Sequence, residues 1–350
     1  MAIPAAALTG VSYIMPVLNE AKYIEAAVAT VLSQDYAGRK EVILALGPST
    51  DGTTEVVQRL ADADKRIILV HNPDTDIPVG LNLAIRASQY PVIVRVDAHS
   101  ELEPGYTSQA IATLDRTGAA NVGGIMFARG KTPFQAAAAR GYNSPFGLGG
   151  ARYHGGSHPE GEAESAYLGV FRRDVLFEVG LFDESLRRGE DWELNLRIRA
   201  AGHTVWFDPA LKVTYWPRES WTKLGRQFLA TGIWRGELVR RYKGRNPWRF
   251  FVPPLLILSI ALSIVVGILT ILPILNGWVA LLASVVYLGP ILYVLLVLWL
   301  AFVGDRSPNW QDRWFFIVVL PTMHVSWGFG FMIGLLRGAR DTVDTSRTEI

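Results

Sequence analysis

The sequence predicts an α/β domain on a mostly parallel sheet, followed by C-terminal helices that cross a membrane. Three observations carry this. Strand-like and helix-like runs alternate from Val11 to Val96, the pattern of parallel strands joined by crossover helices. Polar or glycine-containing loops follow three of those strands, where such sheets bind ligands. Charges punctuate residues 11–249 regularly, but none occurs from Phe250 to Val303.

Val11–Met15 reads as a strand that Pro16 ends, with Asn19 a candidate N-cap. Ile24, Ala27, Val28, Val31 and Leu32 then form one apolar stripe at helical spacing. Glu41–Leu46 is a second strand, the GPSTDG run a loop, and Thr53–Ala63 a helix. Ile67–Val70 is strand, Val79–Ser88 helix and Val92–Val96 strand again. Residues 128–165 are rich in Gly, Ala, Ser and His without clear periodicity, which predicts a long connection that folds over the site. Ala166–Val170 and Thr204–Phe207 read as short strands, and Asp191–Ala201 as a helix with Leu194, Ile198 and Ala201 on one face.

The runs Phe250–Leu275 and Trp278–Val303 each exceed the ~20 residues that a helix needs to cross a bilayer. Asn276-Gly277 makes a tight turn between them. Trp314–Leu336 is a third candidate, interrupted by Pro321 and His324. Arg249 before the first span, with Arg306 and Arg313 after the second, puts both flanks in the cytoplasm. A third full span exports a tail carrying Arg337, Arg340 and Arg347, against the positive-inside tendency. Two spans with a re-entrant segment is the alternative, and the length of the run favours three. The expected organisation is a domain over 1–235, a basic interfacial linker over 236–249, spans within 250–336 and a tail over 337–350.

Composition narrows the function. A net charge of +2 is too small to argue for nucleic acid. The chain has no cysteine, which excludes disulfides, thiolate metal sites and cysteine nucleophiles. The opening MAIPAAALTG lacks a basic n-region and a long apolar run, so no signal peptide is expected and the domain stays in the cytoplasm.

Several residues invite chemistry. Asp97 and His99 stand two apart at a strand end, and on an extended chain they face one side. They fit a divalent cation whose remaining ligands are diphosphate oxygens and water, or Asp97 caps the next turn. Asp51 is either an N-cap, a ligand contact or both. Glu190 and Asp191 open a helix, where acids are favourable, and either is also placed to act as a general base. Spacing does not choose between these. Arg240, Arg241, Lys243 and Arg245 suit an interfacial basic collar, whereas Gln227, Trp234 and Arg235 suit ligand contact.

Taken in order, the pieces Met15-Pro16-Val17-Leu18-Asn19-Glu20, Ser49-Thr50-Asp51-Gly52-Thr53, Val96-Asp97-Ala98-His99 and Gly189-Glu190-Asp191-Trp192-Glu193-Leu194 resemble the family-two inverting glycosyltransferases of the GT-A fold. The likeness spans residues 10–240. With Gly80-Leu81-Asn82 and the apolar tail, the chain looks most like the membrane-anchored exopolysaccharide glucosyltransferases of the succinoglycan type. The resemblance implies a Rossmann-like GT-A catalytic domain. It implies donor-binding roles for Pro16, Leu18, Glu20, Gly47, Ser49, Asp51, Asn82, Arg95 and Asp97. It puts Asp97 at the metal-carboxylate motif with His99 in place of the second acid, holding Mg²⁺ or Mn²⁺. Asp191 is then the catalytic base with Glu190 beside it. Trp192, Gln227, Trp234 and Arg235 face the acceptor or the diphosphate. The altered spacing of the last three argues for single-sugar transfer rather than processive synthesis. The run Ala45-Leu46-Gly47-Pro48-Ser49 lacks the family's usual base-reading carboxylate, which leaves the nucleotide open with UDP as default.

The reaction so implied moves one sugar from a nucleotide-sugar donor to a lipid-linked acceptor, in a multi-pass protein of the cytoplasmic (inner) membrane. A polyprenyl-phosphate glycosyl synthase is the near alternative. A non-catalytic scaffold that binds a nucleotide sugar is a different class. A nicotinamide dehydrogenase is disfavoured, because no Gly-x-Gly-x-x-Gly follows the first strand.

Overall fold

The computed structural model describes residues 9–148, 158–304, 307, 309–339 and 342–343. These fall into two compact units. The first runs to Ala128 and includes residues 158–216; the second holds residues 129–148 and everything described from Pro217 onward.

The first unit is built on strands β1 (Val11–Val17), β2 (Lys40–Leu46), β3 (Ile67–His71), β4 (Val92–Arg95), β5 (Ser100–Leu102), β6 (Asn121–Ala128), β7 (Gly161–Glu162), β8 (Tyr167–Arg172) and β9 (Val205–Tyr215). They form one sheet in the order β3-β2-β1-β4-β8-β6-β9-β5, with β7 on β9. Strands β1 to β4 are mutually parallel and β6 is parallel to β9, while β8, β5 and β7 run against their neighbours. The sheet is therefore mixed and mostly parallel.

Helices α1 (Ile24–Leu32), α2 (Thr53–Ala63), α3 (Ile77–Ala87) and α4 (Tyr106–Thr117) cover it. Along β1, Tyr13 and Met15 join the core that includes Val28 of α1 and Val57 of α2, and Ile14 joins the core of Leu81 and Ile85. That alternation is the period of a strand. Both faces are buried, which explains the nearly unbroken apolar runs in β1 and β2.

Three details depart from expectation. Helix α4 and strand β6, absent from the expected elements, fill residues 106–128, and β6 lies inside the sheet. Strand β9 is far longer than Thr204–Phe207. Its pairing shifts register opposite Gly123–Ile125, beyond Pro209, where Asp208 accepts hydrogen bonds from Gln109, Thr113 and the Ala210 N–H. A proline inside a strand run hides such a continuation.

The expected loop over residues 128–165 contains a regular helix, α5 (Pro133–Asn143), and a short turn of helix, α6 (Pro145–Leu148). The Thr132 side chain caps α5 by accepting from the Gln135 N–H, and its alanine run favours helix. The part of that loop over 149–157 lies outside the described residues.

The first unit continues with α7 (Arg173–Glu178) and α8 (Glu190–Ala200). In the second unit, α9 (Trp221–Arg241) is continuous across the expected boundary at 235 and through part of the basic linker. Three more helices, Trp248–Ile271, Gly277–Gly304 and Trp310–Arg337, are long and apolar enough to cross a membrane. Leu255, Leu262, Ile271, Leu282 and Leu292 on the first two are exposed, as suits side chains that face lipid.

The third of these helices is the most buried, because α9 and α5 pack on it within the unit. Glycines allow the approach. A Cβ on Gly232 or Gly236 would overlap the Trp327 or Phe331 carbonyl oxygen, and one on Gly330 or Gly334 would overlap those of Leu229 and Ile233. The two Gly-x-x-x-Gly spacings, 232/236 and 330/334, were legible signals of close helix packing. With this packing α9 lies in the second unit, which resumes at Pro217.

Candidate active site

The loops after β1 and β2 are tied together residue by residue. Asn19 adopts a left-handed backbone with φ 54°, a conformation that asparagine tolerates better than most residues. Its N–H donates to Ser49 Oγ at 3.1 Å, and its Oδ1 accepts from the Thr50 N–H at 2.8 Å. The Glu20 N–H donates to Thr53 Oγ1 at 2.8 Å, and the Ala21 N–H to Asp51 Oδ2 at 3.1 Å. Asn19 is thus not the cap of α1, which begins at Ile24 after Tyr23; it joins two loops.

Asp51 also accepts from the Thr53 N–H at 3.1 Å, which satisfies one of the free donors at the start of α2. Burial acts to raise the Asp51 carboxyl, but the hydrogen bonds from Thr53 and Ala21 outweigh it and hold it below its ordinary value. Of the other expected donor residues, Pro16 and Leu18 are half-buried at the end of β1. The Gly47 N–H donates to the Val17 carbonyl at 2.9 Å.

At the carboxyl end of β4 the Arg95 guanidinium is buried among carboxylates. Its Nη2 donates to Asp97 Oδ1 at 3.3 Å and to Glu190 Oε1 at 3.1 Å, and its Nη1 donates to Asp191 Oδ1. The two acids of α8 reach it because Gly189 turns the chain with φ 78° at the helix start, a conformation costly for residues with a Cβ. Burial disfavours the charge on Arg95, and the field of Asp97 and Glu190 outweighs it, so the guanidinium is held above its ordinary value. Tyr167 lies alongside, with its hydroxyl 3.3 Å from Ser100 Oγ. Burial first, then the Asp97 charge, pushes this phenol well above its ordinary value, so it stays neutral.

Two of the expected site residues sit in surroundings other than the local sequence suggests. Asp97 and His99 do not project together from an extended strand. Strand β4 ends at Arg95, and residues 97–100 form a turn closed by the Ser100 N–H on the Asp97 carbonyl at 2.9 Å. Asp97 joins Arg95, whereas His99 Nδ1 lies 3.1 Å from Glu20 Oε1 and its ring meets Tyr215 edge-on. Asn82 is the second. It is buried with both ends engaged: Nδ2 donates to the Phe182 carbonyl and Glu184, and Oδ1 accepts from the Phe182 N–H. Asn82 therefore clamps the chain that leads to α8.

Trp192 is buried on α8. Gln227, Trp234 and Arg235 belong to the second unit. There Gln227 accepts from the Tyr142 hydroxyl at 2.9 Å, Trp234 Nε1 donates to the Thr342 carbonyl at 3.2 Å, and Arg235 stacks 4.2 Å from the Phe250 ring centre.

Among the described residues no three His, Asp or Glu side chains enclose a cation site of their own. The donor set still fits a divalent ion of the Mg²⁺ or Mn²⁺ kind. Asp97 supplies one hard, partly exposed carboxylate, and such ions are commonly held by one or two carboxylates plus substrate phosphates.

Residues 12–177 match the family model described as glycosyl transferase family 2. The match covers just under half of the chain and makes these residues similar to that family. The chain is 29% identical over 327 residues, 92% of this chain and 94% of the other, to the succinoglycan biosynthesis protein ExoA of Rhizobium meliloti. It is 25% identical, over 73% of this chain and 81% of the other, to the dolichyl N-acetyl-alpha-D-glucosaminyl phosphate 3-beta-D-2,3-diacetamido-2,3-dideoxy-beta-D-glucuronosyltransferase of Methanococcus voltae. Among solved structures it is similar to the mannosyltransferase PcManGT from Pyrobaculum calidifontis in complex with GDP-Man and Mn²⁺. That match has a TM-score of 0.58 and 17% identity, and covers 88% of this chain and 85% of that one. At that identity the likeness establishes the GT-A fold alone. The family match supports a glycosyltransferase and points to the ends of β1, β2 and β4 as the candidate active site.

Proposed function

We propose that the protein transfers one sugar, with inversion at the anomeric carbon, from a nucleoside-diphosphate donor to a lipid-linked acceptor in polysaccharide assembly. The observation that carries this reading is the meeting of Asp97, Glu190 and Asp191 on Arg95, beside the loops joined through Asn19, Glu20 and Ala21.

Asp191 takes the proton of the acceptor hydroxyl as that hydroxyl attacks the anomeric carbon from the face opposite the leaving group. Glu190, more buried than Asp191, anchors Arg95 and keeps the start of α8 in place. Asp97 faces the diphosphate. A Mg²⁺ or Mn²⁺ ion held by Asp97 would supply positive charge against the departing nucleoside diphosphate. The joined loops, with Pro16, Leu18, Gly47 and Ser49, hold the nucleoside, with uridine the default base. His99 holds Glu20 in place. Gln227, Trp234 and Arg235 are assigned to the acceptor.

The apolar helices anchor the protein in the inner membrane, with the catalytic unit in the cytoplasm. Support comes from their length and apolar exposure, and from Arg249 and Arg313 flanking the first two. The relatives' names, one a succinoglycan protein and one acting on a dolichyl phosphate sugar, support a lipid-linked acceptor.

The test is nucleotide release from a panel of nucleotide sugars by purified full-length protein with Mn²⁺ or Mg²⁺. One donor is expected to react, and Asp97→Ala and Asp191→Ala each lower the rate by about 10²- to 10⁴-fold. Wild-type turnover in either variant, or a product with retained anomeric configuration, would sink the reading.

A further inference from the structure

We infer that Arg95 is a built-in cation that keeps the carboxylate set from binding free divalent metal, so that metal loads only together with a diphosphate. This rests on the reading of Asp97 as the metal carboxylate.

One guanidinium serves three carboxylates. Arg95 is 4% exposed, and its Nη2 bridges Asp97 and Glu190 while Nη1 holds Asp191. Three formal negative charges thus meet on this one guanidinium. The three oxygens meet on the two terminal nitrogens of the guanidinium. A metal ion arriving alone competes with Arg95 for Asp97 and finds its other ligands in water, since Glu190 and Asp191 are already engaged. Moving one carboxylate off a buried cation is costly, because buried charges depend on their partners.

Arrival with a diphosphate changes the balance. Phosphate oxygens complete the ion's shell, and Asp97 need supply only one ligand. Arg95 then keeps Glu190 and Asp191, so the base stays in position when the donor is loaded. Phe182, whose ring centre lies 5.8 Å from the guanidinium carbon, keeps the group from swinging away on that side. The chain around Phe182 is itself clamped by Asn82.

The consequence is a gain of binding, which a merely structural arginine would not give. Mn²⁺ binding to full-length protein in detergent is measured by paramagnetic resonance, first with MnCl₂ alone and then with UDP or GDP added. Wild-type protein is expected to bind Mn²⁺ weakly until a nucleotide is present. Arg95→Gln is expected to bind Mn²⁺ alone at least tenfold tighter than wild type. Arg95→Lys, which keeps the charge but loses the fork, falls between. Arg95→Gln is expected to melt at a lower temperature than wild type, and Mn²⁺ raises its midpoint more. Asp97→Asn in the Arg95→Gln background removes the gain.

If Arg95→Gln does not fold, Arg95→Lys alone carries the test. Folded variants that bind Mn²⁺ no tighter than wild type overturn the inference, as does a gain that survives Asp97→Asn. Loss of nucleotide-dependent Mn²⁺ binding in Asp97→Asn, with no gain in the Arg95 variants, overturns the Arg95 inference and leaves Asp97 as metal ligand intact. Wild-type protein that binds nucleotide without any metal dependence overturns both.

Discussion

In the first unit, the loops after β1 and β2 are joined by hydrogen bonds between named side chains and backbone groups, and Arg95 is held by three carboxylates. In the second unit, α9 and the helix Trp310–Arg337 meet through glycines whose missing side chains let backbone approach backbone. The first kind of contact fixes direction as well as distance, and so can aim a carboxylate at a reacting atom. The second fixes distance alone and makes a rigid pair of helices without chemistry at the seam. Where lipid surrounds a helix, close packing of small residues supplies association that apolar burial cannot.

The largest test of this contrast is at the glycine seam. Gly334→Leu forces a side chain into the Ile233 carbonyl and is expected to destabilise the second unit by about 3 kcal/mol. Gly225→Ala, on the facing helix α9, is the control. Its Cβ would meet only Ser326 and Thr322 side-chain atoms at 3.6 Å, so it is expected to be neutral or to gain up to about 1 kcal/mol from helix propensity. Thermal unfolding in detergent reads both, and equal effects would end the close-approach account.

Next is Asn82→Ala in the first unit. It leaves the buried Phe182 N–H and carbonyl without their partner and is expected to cost about 2 kcal/mol of stability. If Asn82 instead served the donor, stability would hold and the donor KM would rise.

The smallest effect concerns pH. The Asp51 carboxyl lies below its ordinary value in the folded protein. Its contribution is therefore fully present above the ordinary carboxylate range and is lost as pH falls through the depressed folded value. Wild type should melt slightly above Asp51→Ala at neutral pH, and the gap should close in acid. The effect is small because the residue is exposed and solvent screens its interactions. A gap that widens in acid would reverse the assignment.

Much of this was legible beforehand because it rests on local periods. Alternation predicted β1 through β4 and their helices, since residues two apart share a strand face and residues three or four apart share a helix face. Uncharged length predicted the apolar helices. The stripe Tyr106, Ala110, Ile111 and Leu114 would have revealed α4 by the same rule. What escaped depends on contacts distant in sequence. Nothing local says that Arg95 will meet residues 190 and 191, that Asn82 will clamp residue 182, or that Asp97 and His99 will part because the strand stops at Arg95.

The sequence by itself determined the α/β class, the apolar helices and the residue types of the site, because periodicity and composition act over a few residues. Only the tertiary structure decided which partners those residues take. Asp51 spans two loops, His99 turns to Glu20, and Arg95 gathers three acids, since each such choice is made by chain segments that the sheet brings together.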